Sequence, residues 1–176
     1  LKVFDEAHQA AVQRSKSVPN SVYIPPFDHP DVWEGNSTLI DEIKEDLIEK
    51  PTAIICSVGG GGLLNGVVLG LEKSNYFISQ FQASIFILFF SFSIFLDGWG
   101  DVPTIAIETE GAASFHESIK AGKLVTIKAI TSVAKSLGAL RVSEKSLELS
   151  KKYPVISSLV SDKMAIDACI KFAGLI

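Results

Sequence analysis

The stretch Thr52-Ala53-Ile54-Ile55-Cys56-Ser57-Val58-Gly59-Gly60-Gly61-Gly62-Leu63-Leu64 decides the reading of this chain. Thr52–Cys56 is a short apolar run, which predicts a strand covered on both faces, as in a parallel sheet. Leu63, Leu64, Val67, Val68 and Leu71 recur at helical spacing and predict an amphipathic helix directly after the glycines. Glycine has no Cβ, so the intervening backbone can turn sharply and bring several N–H groups to one point. The following helix aims its unpaired N-terminal donors and positive dipole end at that same point. Strand, glycine turn and helix together describe an anion cradle, the alternative being a flexible turn without a ligand.

Residue identity narrows the anion. A dinucleotide fingerprint needs G-x-G-x-x-G/A, and with Gly59 and Gly61 in place the last position falls on Leu64. A P-loop needs Gly-Lys-Ser/Thr at its end, whereas Gly62 is followed by Leu63-Leu64. A single phosphate ester fits better than either nucleotide.

Outward from the loop, helices and strands alternate. Val3, Phe4, Ala7, Ala10 and Ala11 predict a first amphipathic helix over Leu1–Lys16, broken by Pro19-Asn20. Ser21–Ile24 reads as a short strand, and Pro25–Pro30 as irregular. Asn36-Ser37-Thr38 is expected to open a helix, with Thr38 and Asp41 at capping-box spacing and Leu39, Ile40, Ile43, Leu47 and Ile48 as its buried stripe. Pro103–Ile107, ending in Glu108, and Val155–Val160 read as strands. Helices are expected over Ser143–Lys152 and Asp162–Ala173, with Ser143 and Ser161 or Asp162 as N-caps. This alternation indicates an α/β fold with a mainly parallel sheet flanked by helices.

Composition excludes several classes. A net charge of -4 with 16 basic residues, none gathered on one face, argues against nucleic acid or an anionic membrane as partner. Cys56 and Cys169 match no metal spacing and are expected in the core, which implies a reducing intracellular compartment. The acidic run Asp41-Glu42-Glu45-Asp46 with Lys44 reads as a solvated helix face. His29 and His116 read as surface or packing residues, and no Ser/His/Asp arrangement suggests a hydrolase. The chain opens on Leu1, inside a helical pattern, and closes on apolar residues, so we expect a fragment.

Asn75–Leu96 breaks the rhythm, with seven of the 11 phenylalanines and no charge. Three readings stand: the translated pyrimidine-rich 3′ end of an unspliced intron, a genuine insertion, or a membrane segment. Transcript reads that skip codons 73 to 98 would remove the membrane reading.

The loop Ser57–Leu64 resembles the phosphate-binding loop of pyridoxal-phosphate (PLP)-dependent L-serine dehydratases, in the fold type II (tryptophan synthase beta-like) serine/threonine dehydratase family. The likeness includes Val22–Asp28, Trp33-Glu34-Gly35, Gly98–Pro103, Glu108-Thr109, Gly111-Ala112, Ser114-Phe115-His116 and Thr131–Gly138, and skips roughly residues 74 to 97. It implies residues 1–28 as the end of a small domain and 29–176 as a partial large PLP-binding domain, interrupted at about 74–97. It implies that Gly59, Gly60, Gly61, Gly62 and Leu63 hold the cofactor, and that Gly59, Glu108, Ala112, Ser114, Leu137 and Ala139 hold a monovalent cation such as K+. Hard oxygen donors of this kind suit such an ion. Read without the resemblance, Glu108 is equally a solvated or helix-capping residue, and Ser114 a plain helix-terminal one.

The implied activity is dehydration and deamination of L-serine, and of L-threonine, to pyruvate or 2-oxobutanoate and ammonia. A lysine Schiff base and the ring's electron-sink chemistry drive it. The resemblance further implies a cytoplasmic homodimer in amino-acid catabolism and gluconeogenesis, acting on a small amino acid. The family's Ser-Phe-Lys and Ser-x-Gly-Asn motifs and its C-terminal Cys/Ser-Gly-Gly stretch do not occur in these residues, so the chain as given is expected to be inactive. Two other readings are a truncated, non-catalytic phosphate-binding product and a serine racemase or threonine deaminase of the same fold.

Overall fold

The computed structural model describes residues 4–85 and 98–174 of the chain. In order, the elements are α1 (Phe4–Ser17), α2 (Pro30–Asp46), β1 (Ile54–Ser57), α3 (Gly62–Ile85), β2 (Thr104–Thr109), α4 (Ser114–Ala121), α5 (Glu144–Lys152), β3 (Val155–Val160) and α6 (Asp162–Ala173). The strands form one sheet in the order β1-β2-β3, and both pairings are parallel. Parallel neighbours need crossovers, which α3 supplies between β1 and β2, and α4 with α5 between β2 and β3. The α/β expectation therefore holds.

Two apolar clusters organise the packing. Cys56, Val58 and Ala106 from the sheet side meet Leu64, Val68, Phe115, Val142 and Leu149. Ile40, Val67, Leu71, Trp99 and Val102 join α2 to the opposite side of α3. Phe115 and Ile40 are fully buried, and burial of such side chains contributes about 1.5–3 kcal/mol each. Close approach of α2 to α3 depends on Gly70, where a Cβ would meet the Ser37 carbonyl oxygen at 2.7 Å.

Several expectations are corrected. The β1 strand is covered on one face only: Cys56 is buried, whereas Ile55 is 67% exposed, because the helices α3, α4 and α5 gather on the Cys56 side. Ser21–Ile24 is not a strand: Val22 and Ile24 lie exposed, and no strand among the described residues pairs with them. β-propensity reflects a fit to a half-buried pleated surface, and here that surface is missing. Helix α2 opens six residues before Asn36, with His29 as N-cap and Pro30 in the first turn, where proline has no N–H to lose. Thr38 therefore sits inside the helix, and its Oγ1 donates to the Gly35 carbonyl in place of capping. Only Ile40 and Ile43 of its expected stripe pack inward, while Leu39, Leu47 and Ile48 are exposed. Strand β2 runs on through Glu108 to Thr109. Cys56 is buried as expected, but Cys169 is exposed, since α6 has no buried residues.

The N-caps Ser143 and Ser161 fall where the sequence places them. Ser161 Oγ accepts from the Met164 amide at 3.3 Å. Replacing Ser161 by alanine is expected to cost about 1 kcal/mol. Because α6 buries so little, the loss should appear first as faster amide exchange within α6.

Residues 86–97, which include half of the apolar segment, lie outside the described residues. Among the described residues no helix is long and apolar enough to cross a membrane.

Candidate functional site

At the end of β1 the Val58 amide still donates to the Ile107 carbonyl, at 2.8 Å, and the chain then leaves the sheet. Gly61 has φ +94, a left-handed value that L side chains resist. The first helical bond of α3 runs from the Asn65 amide to the Gly61 carbonyl, at 2.9 Å. Among the described residues no protein acceptor receives the amides from Gly59 through Leu64. Gly59, Gly61, Gly62 and Leu64 are nevertheless buried. A buried donor left unpaired costs about 1–3 kcal/mol, so this concentration of them marks a place for an external acceptor.

Neighbours occupy every position where the loop would carry a Cβ. At Gly59 a Cβ would fall on the Leu137 carbonyl oxygen, at Gly60 on the Phe27 ring, and at Gly61 on Ser146 Oγ. At Gly62 it would lie 2.9 Å from Phe27 Cα. The backbone is thus walled on its side-chain side, while its amides have no protein acceptor among the described residues. Of the expected cofactor residues, Gly59, Gly60, Gly61 and Gly62 line this turn. Leu63 is 38% exposed and can offer only its N–H.

The residues expected around a cation fall into two adjoining groups. Gly59 and the Leu137 carbonyl lie against each other, although the Leu137 side chain is exposed. Ala112 packs beside Gly138, and Ala139 is buried. The second group sits at the N-terminus of α4. Glu108, in register with Leu159 on β3, is 1% exposed. Burial pushes its carboxyl up to about 7, a rise opposed by the amides of Phe115 and His116 and reinforced by Glu117. Those two amides donate to its oxygens at 3.0 and 2.7 Å, so Glu108 caps α4. Beside it, Ser114 Oγ is buried and has no hydrogen-bond partner among the described residues. An orphaned hydroxyl next to a buried carboxylate has the chemistry of an oxygen-ligated cation site.

Two supporting networks escape sequence reading. Asn65 bonds to Ser143 and Ser146 beneath the glycine turn. Ser132, which lies 2.7 Å from Thr109 Oγ1, donates to Asp162, whose other oxygen takes the Val133 amide at 3.0 Å. This ties down the segment that carries Leu137. The available signals were Ser143 and Ser146 three apart and an aspartate opening α6, and neither reveals a partner. His29 caps α2, and His116 Nδ1 lies 3.0 Å from Ser157 Oγ. No group of three or more His, Cys, Asp or Glu able to hold a metal occurs among the described residues.

Comparison with known proteins identifies relatives of this chain. A family model described as pyridoxal-phosphate dependent enzyme matches residues 2–175. The chain is 46% identical over 171 residues to human L-serine dehydratase/L-threonine deaminase, covering 97% of this chain and 45% of that protein. It superposes on a fungal L-serine ammonia-lyase from Rhizomucor miehei with a TM-score of 0.75 and 40% identity, covering 94% of this chain and 46% of the other. Maize serine racemase shares the fold, with a TM-score of 0.71 at 22% identity over 93% of this chain and 43% of that one. The chain thus spans less than half the length of the relatives it matches. Its parallel sheet flanked by helices is that of a fold type II enzyme, and the chain belongs to the pyridoxal-phosphate dependent enzyme family.

Proposed function

We propose that this chain forms the phosphate side of a PLP-dependent L-serine ammonia-lyase that also accepts L-threonine, releasing pyruvate or 2-oxobutanoate with ammonia. The observation that carries this reading is the run of amides from Gly59 through Leu64 without a protein acceptor among the described residues, with Gly59, Gly61, Gly62 and Leu64 buried. When bound, PLP supplies the electron sink that acidifies the substrate's α-hydrogen. The amides of Gly59 to Leu63 would hold its phosphate, aided by the N-terminal dipole of α3. Glu108, Ser114 and the carbonyls of Gly59, Ala112, Leu137 and Ala139 would hold a monovalent cation, K+ by resemblance, coupling the glycine turn to the Leu137 segment. The Schiff-base lysine has no matching motif here, so turnover requires residues beyond these 176.

We further propose that residues 1–28 end a small domain, that 29–176 belong to the PLP-binding domain, and that the complete protein is a cytoplasmic homodimer. The free thiols Cys56 and Cys169 fit a reducing compartment. The test is the complete protein supplied with L-serine and, separately, L-threonine. Equimolar pyruvate and ammonia from L-serine is the expected result. Release of D-serine without pyruvate, or no reaction with either amino acid, would overturn the assignment.

A further inference from the structure

We infer that Asn65, Ser143 and Ser146, none of which faces the ligand, are positioning residues that hold the glycine turn in its anion-binding shape. The inference rests on the cofactor reading above.

Asn65 lies in the first turn of α3 and is fully buried, as is Ser146, and Ser143 is 2% exposed. The Asn65 carboxamide donates from Nδ2 to Ser143 Oγ at 2.9 Å and accepts at Oδ1 from Ser146 Oγ at 2.7 Å. The two hydroxyls stand 2.8 Å apart, closing a ring. Ser146 spends its single proton on Asn65, so Ser143 donates to Ser146 Oγ while accepting from Asn65 Nδ2 and from the Ser146 amide at 3.3 Å. Both hydroxyl protons and one of the two Asn65 Nδ2 protons thus have acceptors within the ring. A closed buried ring of this kind is rigid, and breaking any member strands the others.

The ring is fastened to the glycine turn at two points. The Ser143 amide donates to the Gly60 carbonyl at 3.0 Å, and the Asn65 amide donates to the Gly61 carbonyl at 2.9 Å. Ser146 Oγ fills the space that a side chain at Gly61 would need. Two consecutive carbonyls are therefore drawn toward the ring. Their peptide planes turn the amides of Gly61 and Gly62 the other way, toward the acceptor-less side. The N-terminus of α5, capped by Ser143, is locked to that of α3 by the same bonds. The ring thus sets the orientation of the donors without touching what they bind.

The test measures how much the phosphate group adds to binding. The full chain is titrated by fluorescence with pyridoxamine 5′-phosphate and with pyridoxamine, neither of which can react with surface lysines. The parent chain should prefer the phosphorylated compound by at least about tenfold, the scale of one charge-assisted hydrogen bond. Asn65→Leu, which keeps the volume but not the polar atoms, should reduce that preference to below about threefold. Val102→Ala, destabilising through the other apolar cluster and placed at the opposite end of the sheet from the glycine turn, should keep the parent preference. If Asn65→Leu does not fold, Ser146→Ala removes one hydroxyl and should give an intermediate preference. A folded Asn65→Leu or Ser146→Ala variant with the parent preference would refute the positioning role. A parent chain that fails to discriminate the two compounds would instead refute the cofactor reading itself.

Discussion

Replacing Gly59 by alanine is expected to lower affinity for pyridoxamine 5′-phosphate by at least about tenfold and to cost about 1–3 kcal/mol of stability. The added methyl would fall on the Leu137 carbonyl oxygen, a backbone atom that cannot rotate away. Relief requires moving either the glycine turn, which misdirects its amides, or the segment held by Thr109, Ser132 and Asp162. Both displacements damage binding, so stability and affinity should fall together. Gly35 provides the contrast: it lies within α2 with nothing inside 4 Å of its would-be Cβ. Gly35→Ala should leave binding intact and stabilise by about 0.5–1 kcal/mol through helix propensity. Urea unfolding and the same titration would read both, and equal behaviour of the two variants would contradict the account.

The second large effect concerns Glu108. Its carboxyl is pushed up to about 7 in the folded chain from its ordinary value of 4.5, with burial the leading cause. Between those two values the folded chain binds more protons than the unfolded one. Stability from this group is therefore complete below pH 4.5, falls as pH rises through about 7, and is constant above that. The size is on the order of 3 kcal/mol. The measurement is urea unfolding from pH 4.5 to 8.5 in a buffer whose only cation is a bulky organic ammonium, with Glu108→Gln as reference. The parent chain should lose stability relative to the variant across that window, and parallel curves would show that Glu108 does not titrate there. Potassium should restore the loss at pH 8 in the parent alone, because only the ionised carboxylate gains from a neighbouring cation.

How much of this was legible beforehand follows from the range of the interactions involved. Val155–Val160 and the caps Ser143 and Ser161 were readable because strand composition and capping depend on residues within a few positions. Local patterns misled where a second local rule competed. The Thr38 capping spacing is real, but Pro30 started α2 earlier, and Ser21–Ile24 has strand composition without a neighbouring strand to pair with. Glu108 could be located but not characterised. Whether it is solvated or buried depends on α4 packing over β2, which nothing near residue 108 announces.

The glycine turn divides along the same line. By itself the sequence determined that Gly59 to Gly62 form a side-chain-free turn between a strand and a helix, since the missing Cβ is a property of each residue alone. It also determined that the turn departs from both nucleotide motifs, at Leu64 and at Leu63-Leu64. Only the tertiary structure decided which amides stay without a protein acceptor, and what keeps them turned outward. Asn65 meets Ser143 and Ser146 across 78 and 81 residues of chain, and Leu137 reaches Gly59 from a still different segment. Hydrogen bonds form between groups that the fold brings within 3 Å of each other, and sequence separation carries no information about that distance.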